Sequence, residues 1–342
     1  MTHHDRNRMR ITELRGALRS GQIQLVRAAF ERHISPKAKL RLGHPFGELI
    51  GPQSLLDQVY APLFAAMPDL ERADFIAMAG PCWNDPARGD WVGIGGHFIG
   101  TFAKPWLGIP PTGGPVQMRY HEYLRIVDDH IVEMEALWDI PAVMAQAGIW
   151  PLSPQRGADW MSPGPANGCG VIAKPFDTGR AQSSVQTVWD MLHDLQLGTR
   201  TTPERGLAGF WHENALWYGP HGLGTARGHK GIAERIFSQF RAGLSENTRH
   251  LDQGIFFGDQ DLVAFTGWPS GTALHSGPGF MGLKPTNSRF DRRSLDFWRV
   301  EHGLIRECWV MLDVLDILRQ LGADLFEHDL AIDPSRLCEM AS

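Results

Sequence analysis

The chain lacks any apolar run of about eighteen or more residues, so no stretch of it reads as a membrane-spanning helix. It also lacks a Cys-x-x-Cys pair. Its four cysteines, Cys82, Cys169, Cys308 and Cys338, are scattered, which suits neither a zinc knuckle nor a disulfide scaffold and reads as reduced, structural thiols. Fifteen histidines include no H-x-x-x-H or H-E-x-x-H pattern, so a helix-borne metal site is not expected. Net charge is only −5, and the densest basic stretch, Arg289 to Arg293, is interrupted by Phe290 and Asp291, so there is no electrostatic case for nucleic acid. The opening Met1-Thr2-His3-His4-Asp5-Arg6 has no apolar stretch of the signal-peptide kind. The expectation is a cytoplasmic protein with no membrane partner and with His3-His4 in a disordered terminus. What is present is 43% hydrophobic residues in 342, enough for two domains with cores of their own, and twelve tryptophans, which suit aromatic-lined pockets as well as cores.

The chain repeats itself. Gly108-Ile109-Pro110-Pro111-Thr112 returns as Gly282-Leu283-Lys284-Pro285-Thr286, Arg125-Ile126-Val127 as Arg299-Val300-Glu301, Glu133 as Glu307, Asp139 as Asp313, and Gln146-Ala147-Gly148 as Gln320-Leu321-Gly322. Each pair is 174 apart (282 − 108, 322 − 148), an ungapped register that marks a duplication. Upstream the match needs small indels: Asp90-Trp91-Val92 pairs with Asp261-Leu262-Val263 at 171, and His97 with His275 at 178. The boundaries that follow are a first module at 10–149, a Pro/Gly-rich connector at 150–184, a second module at 185–323 and a tail at 324–342. The connector carries Pro151, Pro154, Pro163, Pro165 and Pro175, cannot be one helix or a central strand, and is expected to pack on the modules through Trp160 and Phe176.

Helical periodicity opens each module: Ile11 to Arg32, broken at Gly21, then Pro52 to Met67; in the second copy Val185 to Leu197, a helix near Pro203 to His212, and Gly231 to Leu244. Strand-like stretches follow at Phe75 to Ala79, Trp91 to Phe102, Val116 to Val127 and Ile131 to Trp138, and at Gly254 to Phe257, Leu262 to Trp268, Phe290 to Val300 and Leu304 to Leu312. Asp139 and Asp313 are placed to cap short final helices. Helices, then an antiparallel sheet, then a helix, is an α+β module.

His97, Gly108 to Gly113, Leu124-Arg125-Ile126-Val127-Asp128, Ile131-Val132-Glu133, Asp139 and Gln146-Ala147-Gly148, with their repeats in the second copy, resemble the SnoaL-like polyketide cyclase (ester cyclase) family. The resemblance implies two tandem cone-shaped modules of the nuclear-transport-factor-2-like kind, each a curved sheet and N-terminal helices around a small-molecule pocket. It implies cyclase, isomerase or lyase chemistry on a carbonyl- or ester-containing substrate without metal or organic cofactor. It also implies that the fused copies pack as a pseudo-dimer within one chain, homodimerisation of the whole being open.

In the family the acid/base is an aspartate three residues before the helix-opening aspartate, opposite a histidine on the preceding strand. Here those acid positions are Ala136 and Val310, and the histidine positions hold Glu122 and Asp296. With hairpins turning at Asp129 and Gly303, Glu122 faces Ala136 and Asp296 faces Val310, so the carboxylate has crossed by one strand. Glu122 shares a face with Met118, Tyr120, Leu124 and Ile126, opposite Val132, Met134, Ala136 and Trp138; loss of hydration there would raise its pKa toward that of a neutral-pH acid/base. Asp296 shares its face with Arg292, Ser294 and Trp298, opposite Arg306, Cys308, Val310 and Leu312; Arg292 or Arg306 is placed to pair with it and keep it ionised, which favours anion handling or a structural role over proton transfer. The candidates are therefore Glu122 and Asp296 as catalytic groups, Glu122 the principal one, with His97, His275, Tyr120, Trp138, His44, His221 and Trp298 as substrate contacts and no metal ligand. The rival readings are a binding protein that has lost the family acid, and one active copy beside a structural one.

Overall fold

The computed structural model describes residues 2–197 and 203–326; the tail beyond 326 lies outside the described residues. The first module opens with helices His3–Ser20 and Ile23–His33, separated by Gly21, whose left-handed φ of 64° ends the first one. The terminal histidines are thus helical, not disordered: Thr2 and Asp5 form a capping box, and His3 Nε2 lies 2.9 Å from Asp90. Strands β1 (Ile34–Leu42) and β2 (Gly47–Ile50) follow, then a helical segment of Gly51–Leu55, a π-turn at Leu56–Tyr60 and Ala61–Ala66. Strands β3 (Glu71–Pro81), β4 (Asp90–Thr101), β5 (Pro115–Val127) and β6 (His130–Trp138) complete a sheet of order β2-β1-β6-β5-β4-β3, closed by helix Ile140–Gln146.

The second module repeats the plan with helices Thr178–Leu197 and Pro203–Ala208, then β7 (Trp211–Tyr218) and β8 (Thr225–Arg227). Next comes a helical segment of Gly228–Gly231, a π-turn at Ile232–Phe237 and Ser238–Gly243. Strands β9 (Leu244–Arg249), β10 (Ile255–Asp259), β11 (Leu262–His275), β12 (Arg289–Glu301) and β13 (Leu304–Leu312) precede helix Val314–Gln320. Its order is β10-β11-β12-β13-β7-β8, with β9 pairing the far half of β11, so β9 and β10 together do what β3 does alone.

The sheets are mixed rather than antiparallel throughout, because β1 joins β6 and β7 joins β13 in parallel. Neither β1 nor β7 is expected from the sequence. In β1, Ala38, Leu40 and Leu42 are buried with basic residues between them, but Pro36 masks the alternation; it sits in the ladder's gap between Ile34 and Lys39. The helix expected near Pro203 to His212 stops at Ala208, and His212 belongs to β7.

The two sheets pack on each other through their outer faces. Met78, Trp91, Tyr123 and Leu137 of one meet Phe257, Leu295, Phe297 and Trp309 of the other in a shared apolar layer. His121 Nδ1 lies 2.6 Å from the Leu295 carbonyl, and the Tyr123 hydroxyl donates to the Asp296 carbonyl. The connector is sewn across this seam: the Ala77 N–H donates to the Gly170 carbonyl and the Ile172 N–H to the Ala77 carbonyl, Ala158 pairs with Thr225, and the Trp309 indole donates to the Pro163 carbonyl at 2.8 Å. Phe176 does pack, its ring 4.4 Å from that of His4, but Trp160 is exposed.

The two backbones approach closely at Gly80, where an added Cβ would stand 2.3 Å from the Gly258 carbonyl oxygen. Gly80→Ala is therefore expected to lower stability by about 1–3 kcal/mol, as overpacking does, because a backbone atom must move. Thermal unfolding measures it, and an unchanged midpoint would mean that the two sheets slide freely there.

Candidate active site

The hairpin registers are as the sequence implies: Glu122 pairs with Ala136, and Asp296 with Val310. The two carboxylates nevertheless sit in different surroundings.

Glu122 is 2% exposed and saturated. Tyr60 Oη donates to its Oε1 at 2.8 Å and Trp138 Nε1 at 3.3 Å, while the Arg72 guanidinium spans both oxygens at 3.2 and 2.8 Å. Arg72 Nε continues to Asp74 at 3.0 Å; Arg15 Nε reaches the same carboxylate at 2.6 Å, and the Tyr120 hydroxyl donates to it as well. Burial and the nearby carboxylates push both phenols, Tyr60 and Tyr120, well above the usual tyrosine range. Aromatic rings fill the remaining space: Phe98 lies 4.5 Å from Tyr120 and 5.0 Å from Trp138 between centroids, and Tyr60 lies 5.4 Å from Trp138. Glu122 is thus not a lone carboxylate on an apolar wall. Arg72 on β3 and Tyr60 on the π-turn neutralise and occupy it, and nothing in the hairpin pattern announced either.

The second module is built on the same positions with smaller side chains. Tyr120 is replaced by Ser294 and Trp138 by Leu312, each 174 residues on. Phe98 faces Met118 across the ladder, and the residue facing its counterpart Arg292 is Gly271. Three rings become a hydrogen, a hydroxymethyl and an isobutyl group, and a cavity of about 280 Å³ opens. Asp296, Ser294 and Trp298 line it from β12, Cys308, Val310 and Leu312 from β13, and Trp211 and Trp217 from β7. The emphasis of the sequence reading is reversed: the open site belongs to Asp296.

Desolvation raises the Asp296 carboxyl to about 7, the nearby Arg249 charge, the Met311 backbone N–H (3.2 Å from Oδ1) and the Ser294 side chain opposing it. No ion pair holds Asp296 among the described residues, contrary to expectation. Arg306 is turned away to His212 and Glu301, and Arg292 donates to the Thr248 carbonyl at 2.7 Å. The Trp211 indole N–H is buried without an acceptor among the described residues.

Of the other expected contacts, Trp298 lines this cavity, whereas Tyr120 and Trp138 fill the first module. His97 lies on the outer face under the connector, Nε2 2.8 Å from the Ser162 carbonyl, and burial lowers it to about 4. His275 is buried at the end of β11, where Nδ1 accepts the Thr286 backbone N–H at 3.3 Å; burial lowers its pKa too. The two histidines are not equivalent. Register places His97 opposite Arg119, whose counterpart Arg293 stacks on Trp268 at 4.9 Å, and β11 bulges between Gly267 and Gly271 before reaching His275.

His44 and His221 lie at the seam between the modules, each beside a small cleft and outside the 280 Å³ cavity. The His44 N–H donates to Asp313 (3.1 Å to Oδ2) and the His221 N–H to Asp139 (3.0 Å to Oδ2), each loop resting on the other module's aspartate. Asp313 also caps its helix through the Asp316 N–H, but Asp139 makes no side-chain cap bond to its own. Among the described residues no cluster of three or more His, Cys, Asp and Glu side chains is arranged to hold a metal.

The family model for SnoaL-like polyketide cyclases matches residues 27–147 and 195–321. Among solved structures, a candidate SnoaL-like polyketide cyclase from Jannaschia sp. CCS1 is 21% identical over 42% of this chain and 93% of its own, with a TM-score of 0.36. IdmH, a candidate polyketide cyclase from Streptomyces antibioticus, is 23% identical over 43% and 99%, with a TM-score of 0.34. An NTF2-like protein from Burkholderia xenovorans LB400 is 20% identical over 41% and 97%, with a TM-score of 0.32. No curated protein matches the chain significantly.

Proposed function

We propose that this chain, which belongs to the SnoaL-like polyketide cyclase family, is an acid/base enzyme whose C-terminal module works on a small carbonyl- or ester-containing substrate without a cofactor, Asp296 moving the proton. The observation that carries this is the placement of Asp296: a buried carboxylate on the wall of the 280 Å³ cavity, with no cation paired to it among the described residues. Its carboxylate takes a proton from the carbon beside the carbonyl, and the electron pair passes to the carbonyl oxygen. The enolate carbon then attacks a second carbonyl carbon of the same molecule, whose π pair passes to its oxygen and takes the proton back from the Asp296 acid, or the enolate is itself reprotonated by that acid at another carbon. The unmet Trp211 N–H is a donor for the oxygen that gains charge. A group near 7 is half ionised at neutral pH and can both accept and return a proton.

The N-terminal module acts as a scaffold in this reading. Tyr60, Phe98, Tyr120 and Trp138 crowd its cone, and its outer face grips the backbone on either side of the reacting hairpin. Arg119 Nη2 donates to the Val310 carbonyl at 2.7 Å and Tyr123 to the Asp296 carbonyl. Buried free thiols at Cys82 and Cys308 fit a reducing cytoplasm, where we place the protein.

The test is a pH–rate profile on the ligand that co-purifies with native protein, identified by mass spectrometry. The active base is the ionised form, so kcat/KM should be low at pH 5, rise through about 7 and level off above it. The Asp296→Asn protein should show no such inflection. A profile flat from pH 5 to 9 in the unaltered protein would leave a binding protein as the better reading.

A further inference from the structure

The cavity carries positive charge that the proposed chemistry does not use. Arg249 on β9 and Arg292 on β12 both line it and both pair with Gly271 of β11, one from each side. Gly271 makes this possible: a Cβ there would stand 2.5 Å from Arg292 Nη2, so the missing side chain is the space through which that guanidinium crosses to Thr248. Arg292 Nε is buried without an acceptor, and neither arginine has an ion pair among the described residues.

The first module shows what such an arginine does when it has a partner. By register Arg72 is the counterpart of Arg249, since Arg72 faces Phe98 and Phe98 faces Met118, as Arg249 faces Gly271 and Gly271 faces Arg292 (292 − 118 = 174). Arg72 is neutralised by Glu122 and Asp74. In the second module the shorter Asp296 makes no such pair. Among the described lining residues Arg241 and Asp194 are one of each sign, and the Asp296 carboxyl acts on Arg249 and Arg292 from a distance without an ion pair to either. Burial, with the nearby Arg249, pushes Arg292 down to about 9, so it still carries its charge at neutral pH. A buried cation without a counter-ion is costly unless one arrives with a ligand.

We propose that the ligand of this cavity is a small aromatic acid bound as its anion, its acidic group received by Arg249 and Arg292 across Gly271 and its ring set among Trp211, Trp217 and Trp298. A volume of about 280 Å³ is at the lower edge of the roughly 300–1,000 Å³ of drug-sized sites and suits one or two fused rings. Asp296 lies four residues along β12 from Arg292, about 13 Å between Cα atoms, while the Arg249 charge is near enough to act on its carboxyl, so the reacting carbon lies beside the acidic group or within one ring of it. This rests on the same cavity as the proposed activity and names its substrate class.

The test compares 2-naphthoate with its neutral methyl ester on the full-length protein at pH 8, by quenching of tryptophan fluorescence. The anion should bind at least about tenfold more tightly. Arg249→Gln and Arg292→Gln should each weaken the anion about ten- to a hundredfold, the range of a hydrogen bond to a charged group, and leave the ester within about threefold. Leu312→Trp, which places the first module's ring in the cavity, should abolish both. Equal affinity for acid and ester, or binding of neither, overturns the proposal; that comparison needs no variant and so does not depend on one folding. Asp296→Asn separates the two readings: retained naphthoate binding with normal turnover refutes the acid/base role alone, and lost turnover with no preference for the anion refutes this proposal alone.

Discussion

Asp296→Asn is expected to lower turnover about 10²–10⁴-fold, the contribution of a positioned acid/base, while leaving the fold and the cavity in place. The amide matches the carboxylate in shape, and its oxygen can still accept the Met311 N–H, so the tie that sets the side chain's direction survives. What disappears is the titrating group that burial has brought to about 7. Glu122→Gln is the internal control. Its position is the equivalent one, but it is enclosed by Arg72, Tyr60 and Trp138, and its loss should change turnover less than about threefold, under about 1 kcal/mol of barrier. If Glu122→Gln instead slowed the reaction a hundredfold and Asp296→Asn did not, the active site would be in the first module.

The second large effect is on stability. Arg72→Met should destabilise the protein by about 3–5 kcal/mol, because it strips the guanidinium from a buried carboxylate and leaves the charge uncompensated. Asp74 keeps Arg15, so the damage centres on Glu122. Adding Glu122→Leu to Arg72→Met removes the orphaned charge, and the double variant should be more stable than Arg72→Met alone, a non-additivity expected of residues in contact. At the equivalent position Arg249→Met breaks no ion pair among the described residues and should cost much less. Urea unfolding of the three variants measures this. A loss below about 1 kcal/mol for Arg72→Met would show that the ring cluster, not the ion pair, holds the first module.

The pairing of Glu122 with Ala136 and of Asp296 with Val310 was legible because it depends on two local things, a turn position and the two-residue period of a strand. The equivalence drawn between His97 and His275 failed because it crossed the bulge in β11, where counting along the chain no longer counts along the sheet. Nothing local in the sequence marks Arg72 and Arg249 as site residues, because each reaches its position through non-local pairing, two strands away from the hairpin. His44 and His221 line small seam clefts and not the large cavity for a related reason: a loop beside a proline looks like the rim of its own module's pocket until the second module is laid against it.

The amino-acid sequence by itself determined the duplication, the α+β class, the family and the hairpin register, since all of these are carried by spacing and alternation along one strand of text. Only the tertiary structure decided which module is open. A cavity is a difference between volumes contributed by several strands. Here Phe98 against Gly271, Tyr120 against Ser294 and Trp138 against Leu312 come from three strands of each sheet, and only pairing brings each set to one place. The same holds for charge: whether a buried carboxylate is an ion-pair partner or a free acid depends on one methylene and on an arginine some fifty residues away, a distance that folding sets and sequence order does not.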